Sequence, residues 1–261
     1  MKLIRLFFIL LTLGPACKPF PPSVCGPRII FNFFEHGCDS VLTSTHQNLA
    51  ETINFFESQR KAEAPFINSC LINIKRKIPS IRIDLRYSST NNFMQSDMYG
   101  AISNAYLQPD AVEKLEKAQA FLKQKYPLYS LIIFDAARSK SVQQLMWDSV
   151  KISKMERTKY LSNPQSGSLH NYGEAVDIGV CDSVGNELDM GTPFDFFGEE
   201  AQPEKEISMI QQGKLTQAQV RNRQLLREVM YKAGFFNIQT EWWHFNACTL
   251  QKAASTYPPL Q

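Results

Sequence analysis

The chain has 261 residues, a formal charge of +3 and 44% hydrophobic residues, enough to bury one full core in a single compact domain. No Lys/Arg-rich stripe stands out, which speaks against nucleic acid as a partner. No G-x-x-x-x-G-K-[ST] or G-x-G-x-x-G loop is present, so a nucleotide phosphate site has no support.

Lys2 and Arg5 flank the start of an apolar run, Leu6 to Leu13, which ends in Gly14-Pro15-Ala16. This pattern predicts a secretory signal over residues 1–16, too short to persist as a stable membrane span. Cleavage would leave Cys17 first, as in a lipoprotein, but Pro15 fits that signal poorly. Soluble export, periplasmic or secreted, is the expectation. Six cysteines in an exported chain allow three disulfides: Cys17, Cys25, Cys38 and Cys70 early, Cys181 and Cys248 late. Buried thiols are the alternative. No C-x-x-C spacing points to zinc at these sulfurs.

Cys17 to Pro27 is proline-rich and reads as an extended lead-in. Leu49, Ile53 and Phe56 lie at helical spacing within Thr45 to Ala62, and Pro65 is expected to end that helix. Residues 17–77 thus read as an N-terminal extension with a helical brace, ahead of a domain over 78–250. Ile81, Ile83, Leu85 and Tyr87 alternate with Arg82, Asp84 and Arg86, the period of a half-buried strand. Pro109-Asp110 opens a helix with Val112, Leu115, Ala118 and Leu122 on one face, stopping before Pro127. Leu131 to Phe134 is a short strand that delivers Asp135 and Arg138.

Ser139 to Met155 is expected to be a helix with Val142, Leu145, Met146 and Val150 inward. Ala175 to Val180 reads as a strand. Thr216-Gln217-Ala218-Gln219 is a capping-box start of a helix that runs to Ala233, with Gly234 as its stop. Phe235 to Asn246 reads as the last strand, and 251–261 as a tail. The sum is α+β, with helices packed on a small, mostly antiparallel sheet.

Two segments carry the chemistry. Ser168-Leu169-His170-Asn171-Tyr172-Gly173-Glu174-Ala175-Val176-Asp177 and Glu241-Trp242-Trp243-His244 hold two of the chain's four histidines. His170, Asp177 and His244 are two imidazoles and a carboxylate, a set that binds zinc with one position left open. Glu241 is near enough in sequence to take a proton from a water there. Singly, H-x6-D and E-x-x-H are weak signals. On a regular strand, residues three apart face opposite sides, so Glu241 and His244 need a bulge or twist to serve one ion.

The joint pattern S-x-H-x-x-G-x-A-V-D with E-W-W-H resembles the zinc D-Ala-D-Ala dipeptidases known from vancomycin resistance. Ile83-Asp84-Leu85-Arg86-Tyr87, with Asn92-Phe93 and Tyr99-Gly100, is similar to that family's opening strand and loop. Met190-Gly191-Thr192-Pro193-Phe194-Asp195 matches its M-G-[ST]-x-F-D segment. Phe134-Asp135-Ala136-Ala137-Arg138-Ser139 stands where the family carries D-G-Y-R-P, keeping the arginine but losing the tyrosine and proline. The likeness runs from about Ile78 to Asn246.

The resemblance implies the family's hedgehog-like fold, one zinc ion per chain and hydrolysis of a small D-amino-acid dipeptide. It implies Glu241 as proton acceptor and Arg138 as the cation beside the reacting carbonyl, although a salt bridge to Asp135 is the plainer reading of Arg138. It implies Asp195 as the anchor of the substrate ammonium, with Ser168 and Tyr87 lining the pocket. A D,D-carboxypeptidase or endopeptidase on cell-wall peptides is the alternative, and a non-catalytic binding protein on the same fold a further one. Sequence leaves the oligomeric state open.

Overall fold

The computed structural model describes residues 39–150, 157 and 161–261. The expected signal over 1–16, the proline-rich lead-in, Cys17, Cys25, Cys38 and the end of the predicted Ser139–Met155 helix lie outside them. In chain order, helix α1 (Asp39–Asn68) is followed by strand β1 (Ile72–Asn73), the single turn α2 (Ile74–Lys77) and β2 (Arg82–Ile83). Next come β3 (Tyr106–Leu107), α3 (Pro109–Lys125), β4 (Ser130–Asp135) and α4 (Lys140–Ser149). The remainder holds β5 (Ala175–Cys181), α5 (Glu206–Gln211), α6 (Gln217–Lys232), β6 (Phe236–Asn237), β7 (His244–Asn246) and α7 (Leu250–Thr256).

The core follows from β4 and β5, whose residues are all buried. A strand so apolar must be covered on both faces, and α3 and α6 supply cover. Val112, Leu115, Ala118 and Leu122 of α3 face inward, at the helical spacing that the sequence shows. The main sheet has the order β2-β4-β5-β7-β6, with β2 and β4 parallel and every other pair antiparallel; β1 and β3 form a separate ribbon. The α+β expectation holds. Residues 47–261 form one compact unit. Its C-terminal segment is tied in: Leu260 is buried and exchanges backbone hydrogen bonds with Lys140 and Asn171.

Several expectations are corrected. Pro65 lies inside α1 and does not end it. A proline there costs one backbone donor and a clash with the carbonyl four residues back, and tertiary packing offsets it: Phe66, just beyond, is stacked on Tyr106 at 5.4 Å. Glu63 adds a buried anchor, accepting from the backbone N–H groups of Ser103 and Asn104 and from the Tyr106 hydroxyl. Leu49, Ile53 and Phe56, at helical spacing, are all exposed. The predicted strand through Tyr87 ends at Ile83, and Arg86–Ser88 form a 3-10 turn. Leu145 of α4 is exposed.

Among the described residues the late cysteines follow the buried-thiol alternative. Cys70, Cys181 and Cys248 are free thiols. Cys181 and Cys248 each stand four residues after Asp177 and His244, which lie on neighbouring strands that run antiparallel. Four residues on from each therefore leads to opposite ends of the pair, and the two late sulfurs part.

Candidate metal centre

Pairing of β5 with β7 sets Asp177 directly opposite His244. Cross-strand partners share a face with their Cβ atoms about 5 Å apart, so register alone brings the carboxylate to the imidazole. His170 comes from the 3-10 turn Leu169–Tyr172. Ser168 caps that turn, its hydroxyl accepting from the His170 N–H at 3.3 Å while Asn171 reaches back to the Ser168 N–H at 2.9 Å. Gly173 closes the turn at φ +69°, where a Cβ would approach Leu71 to 3.0 Å. Only glycine takes that backbone at little cost in so tight a place.

Three donor atoms converge. His170 Nε2 lies 3.2 Å from His244 Nδ1 and 3.4 Å from Asp177 Oδ1, and His244 Nδ1 lies 2.9 Å from the same oxygen. Ligands about 2.0–2.1 Å from a tetrahedral zinc stand about 3.3 Å apart, so the spacing fits one such ion. The Nδ1–H of His170 donates to the Ala136 carbonyl at 2.6 Å. That leaves Nε2 with its lone pair toward the other two donors.

Glu241 does not stand on a strand. The predicted run Phe235–Asn246 is two short strands, β6 and β7, with Glu241 in the turn between them. The turn frees it from strand period, and its carboxylate lies 3.9 Å from His244 Nδ1. The Asn237 amide ties the turn down by donating to the carbonyls of Glu241 at 2.8 Å and His244 at 2.7 Å.

The charges are strongly coupled. Burial opposes the ionised form of Asp177, yet His170 and His244 hold its carboxyl well below the usual range. Burial also opposes a charged His244 ring, but Asp177 raises it to about 9. A metal cation competes with that proton for Nδ1, so binding releases it. Burial pushes the Glu241 carboxyl up, against the pull of His244. Asp195 is raised well above the ordinary value, first by burial and then by Asp177. A cation brought to Asp195 would restore its charge.

These groups share a pocket of about 270 Å³, which Tyr87, Arg138, Ser168 and Asp195 also line. Asp195 has φ +60°, an uncommon backbone for a residue with a side chain, and its carboxylate accepts from the Tyr87 hydroxyl at 2.9 Å. Tyr87 is buried and braces Asp195. Arg138 is buried too, with Nε 3.5 Å from the Asp135 carboxylate. Its guanidinium lies 5.6 Å from the Tyr87 ring centre, so an aromatic face stands beside it although its chain neighbour is Ala137. Trp242 and Trp243 are both buried, with ring centres 5.4 Å apart at 88°. Trp243 lines the pocket, whereas the Trp242 indole donates to the Thr192 hydroxyl at 2.9 Å.

The sequence reading missed Gln143, a 1% exposed pocket residue on α4 whose Nε2 donates to the Ser162 carbonyl while Oε1 has no partner among the described residues. Its position three residues before Met146, on that residue's face, was the available signal. It also missed Arg223, wholly buried in the middle of α6, although Val220 three residues before it and Leu226 three after it lie on the same face.

Residues 68–259 match the family described as D-ala-D-ala dipeptidase. The chain is 31% identical over 190 residues to the D-alanyl-D-alanine dipeptidase of Escherichia coli (strain K12), covering 73% of this chain and 89% of the other. It is 27% identical over 176 residues to that of Synechocystis (57% and 71% covered) and 26% over 179 residues to that of Enterococcus faecalis (63% and 85% covered). A weaker likeness, TM-score 0.38 at 19% identity over 57% of this chain and 63% of the other, is to the solved structure of the LdcB LD-carboxypeptidase. Matched over most of its length, the chain belongs to the D-ala-D-ala dipeptidase family and is a peptidase.

Proposed function

We propose that this peptidase hydrolyses D-alanyl-D-alanine, or a similar small D-amino-acid dipeptide, with one zinc ion held by His170, Asp177 and His244. The observation that carries the reading is the meeting of three donor atoms in one small pocket with Glu241, Arg138 and a buried carboxylate, Asp195. Zinc, when bound, supplies Lewis acidity and makes a water nucleophilic at neutral pH.

Glu241 takes the proton of the attacking water and hands it to the departing amine as the peptide C–N bond breaks. Arg138 meets the negative charge that grows on the carbonyl oxygen, and its guanidinium stays charged throughout. Asp195, held by Tyr87, pairs with the substrate ammonium. Ser168 and the free Gln143 oxygen offer hydrogen bonds to the rest of the substrate. A 270 Å³ pocket lies just below the usual range for ligand sites, about 300–1,000 Å³, a size that suits a dipeptide. The charged start and the apolar run Leu6–Leu13 support export with removal of residues 1–16, and no described helix is long and apolar enough to cross a membrane.

Zinc analysis and alanine release test the reading together. Purified protein is expected to hold about one zinc per chain and to cleave D-Ala-D-Ala far faster than its N-acetyl form, which leaves Asp195 unpaired. Preference for the acetylated dipeptide or a wall pentapeptide would replace this reading with a carboxypeptidase. A double variant, His170→Ala with His244→Ala, that keeps as much zinc as wild type would show the site to be misplaced.

A further inference from the structure

The two imidazoles present different nitrogens to the donor cluster, His170 its Nε2 and His244 its Nδ1. Each must therefore carry its proton on the opposite nitrogen to have a lone pair free for a cation. For His170 the backbone decides. A carbonyl can only accept, so Ala136 requires Nδ1–H. Among the described residues no backbone group does this for His244. Its Nε2 meets a side-chain amide, with Asn246 Oδ1 at 2.8 Å.

Asn246 is placed for that contact by the strand. Residues two apart on β7 share a face, so the amide lies beside the ring. Asn246 pairs across the sheet with Ala175 on one side and Phe236 on the other, and its side chain is almost wholly buried. With its amide oxygen toward the ring, only the Nε2–H form of His244 makes the bond. The reversed amide would ask for a lone pair on Nε2, which makes Nδ1 the only nitrogen left to carry the ring's proton and leaves none free for a cation.

We infer that Asn246 is a positioning residue: its Oδ1 holds His244 as the Nε2–H tautomer and turns the Nδ1 lone pair to the metal. The inference rests on the metal reading above but goes beyond it, because Asn246 is not a ligand. Partners of ligating imidazoles commonly change metal affinity by about 10–100-fold when removed. Asn246→Leu keeps the size and removes the acceptor. Asn246→Asp keeps the shape and an acceptor while removing the donor.

Zinc affinity, measured by competition against a chromophoric chelator, is expected to fall about 10–100-fold in Asn246→Leu. In Asn246→Asp it is expected to stay near wild type or tighten, since an acceptor-only group makes the imidazole a better ligand. Nitrogen-15 NMR of the imidazoles in zinc-loaded wild type needs no variant, and should find the proton on Nε2 of His244 and on Nδ1 of His170. A proton on Nδ1 of His244 overturns the inference. So does an Asn246→Leu protein that binds zinc like wild type, or an Asn246→Asp protein that loses as much as Asn246→Leu. Wild type that holds no zinc overturns the metal reading as well, which separates the two failures.

Discussion

The corner that gathers the donor atoms and the arm that carries Asp195 are held by opposite means. At the corner the backbone ladder does the positioning: Ala175, Val176 and Asp177 pair in register with Asn246, Phe245 and His244. The arm, Asp189 to Asp195, contains no strand, and side chains grip it. From α6, Gln219 donates to the Asp189 carboxylate at 2.9 Å, Asn222 to the Asp189 carbonyl at 2.8 Å, and Arg223 to the Met190 carbonyl at 2.6 Å. Gly191 sits at φ +82° against Leu215, with no room for a Cβ. A ladder is stiff because many bonds must shift at once, whereas a clamp of side chains yields to one substitution. Metal retention and substrate affinity should therefore separate under mutation.

The largest expected effect is at Glu241, in the turn where the two regions meet. Glu241→Gln keeps the shape but cannot accept the proton, so turnover should fall about 10²–10⁴-fold with zinc content and substrate affinity little changed. Near-normal turnover would put the base elsewhere. Arg223→Met strikes the arm instead. It removes the Met190 and Glu200 carbonyl bonds and the cation over Trp242, and it leaves Glu206 to Arg227. A loss of about 2–4 kcal/mol in stability is expected. KM for the dipeptide should rise with zinc stoichiometry unchanged; zinc lost in step with KM would break the comparison.

The same contrast governs what the sequence could reveal. Helical spacing located α3, and the short strands read at Leu131 and Ala175 are β4 and β5, whose residues are all buried. The capping box at Thr216 marks the start of α6 as expected. His170 and His244 were conspicuous for the rarity of histidine; register sets His244 opposite Asp177, and the turn capped by Ser168 brings His170 to them. Buried polar residues on helices leave a fainter trace, their place on an apolar face. Arg223, Gln143 and Glu63 look like ordinary polar positions on helices until Met190, Ser162 and Asn104 fold beside them. The turn at Glu241 was misread because Phe235 to Asn246 is apolar enough for a strand, and the bend depends on Asn237 bridging two carbonyls.

The smallest expected effect tests whether the corner is held by backbone alone. Glu174 opens β5, its N–H donating to the Leu169 carbonyl and its own carbonyl accepting from Ala247, so it ties the His170 turn to the end of β7. Its side chain is wholly buried, with the Asp110 carboxylate and the Cys248 thiol beside it. Burial first, and then the neighbouring Asp110 carboxylate, push it up to about 7, against the opposing influence of Cys248 and Lys114. Protonated, it can donate to Asp110, which also accepts from the Tyr257 hydroxyl. An ordinary unfolded glutamate titrates near about 4.3. Between that value and about 7 the folded chain binds more protons than the unfolded one, so this group's contribution to stability falls as pH rises and levels off above about 7. Glu174→Gln donates to Asp110 without titrating. It should match wild type near pH 5 and exceed it by about 1–3 kcal/mol at pH 8, with zinc content unchanged. Thermal unfolding of both proteins across that range is the measurement. Parallel curves would mean that Glu174 ionises in the folded chain as it does in water, and that the ladder holds the corner without it.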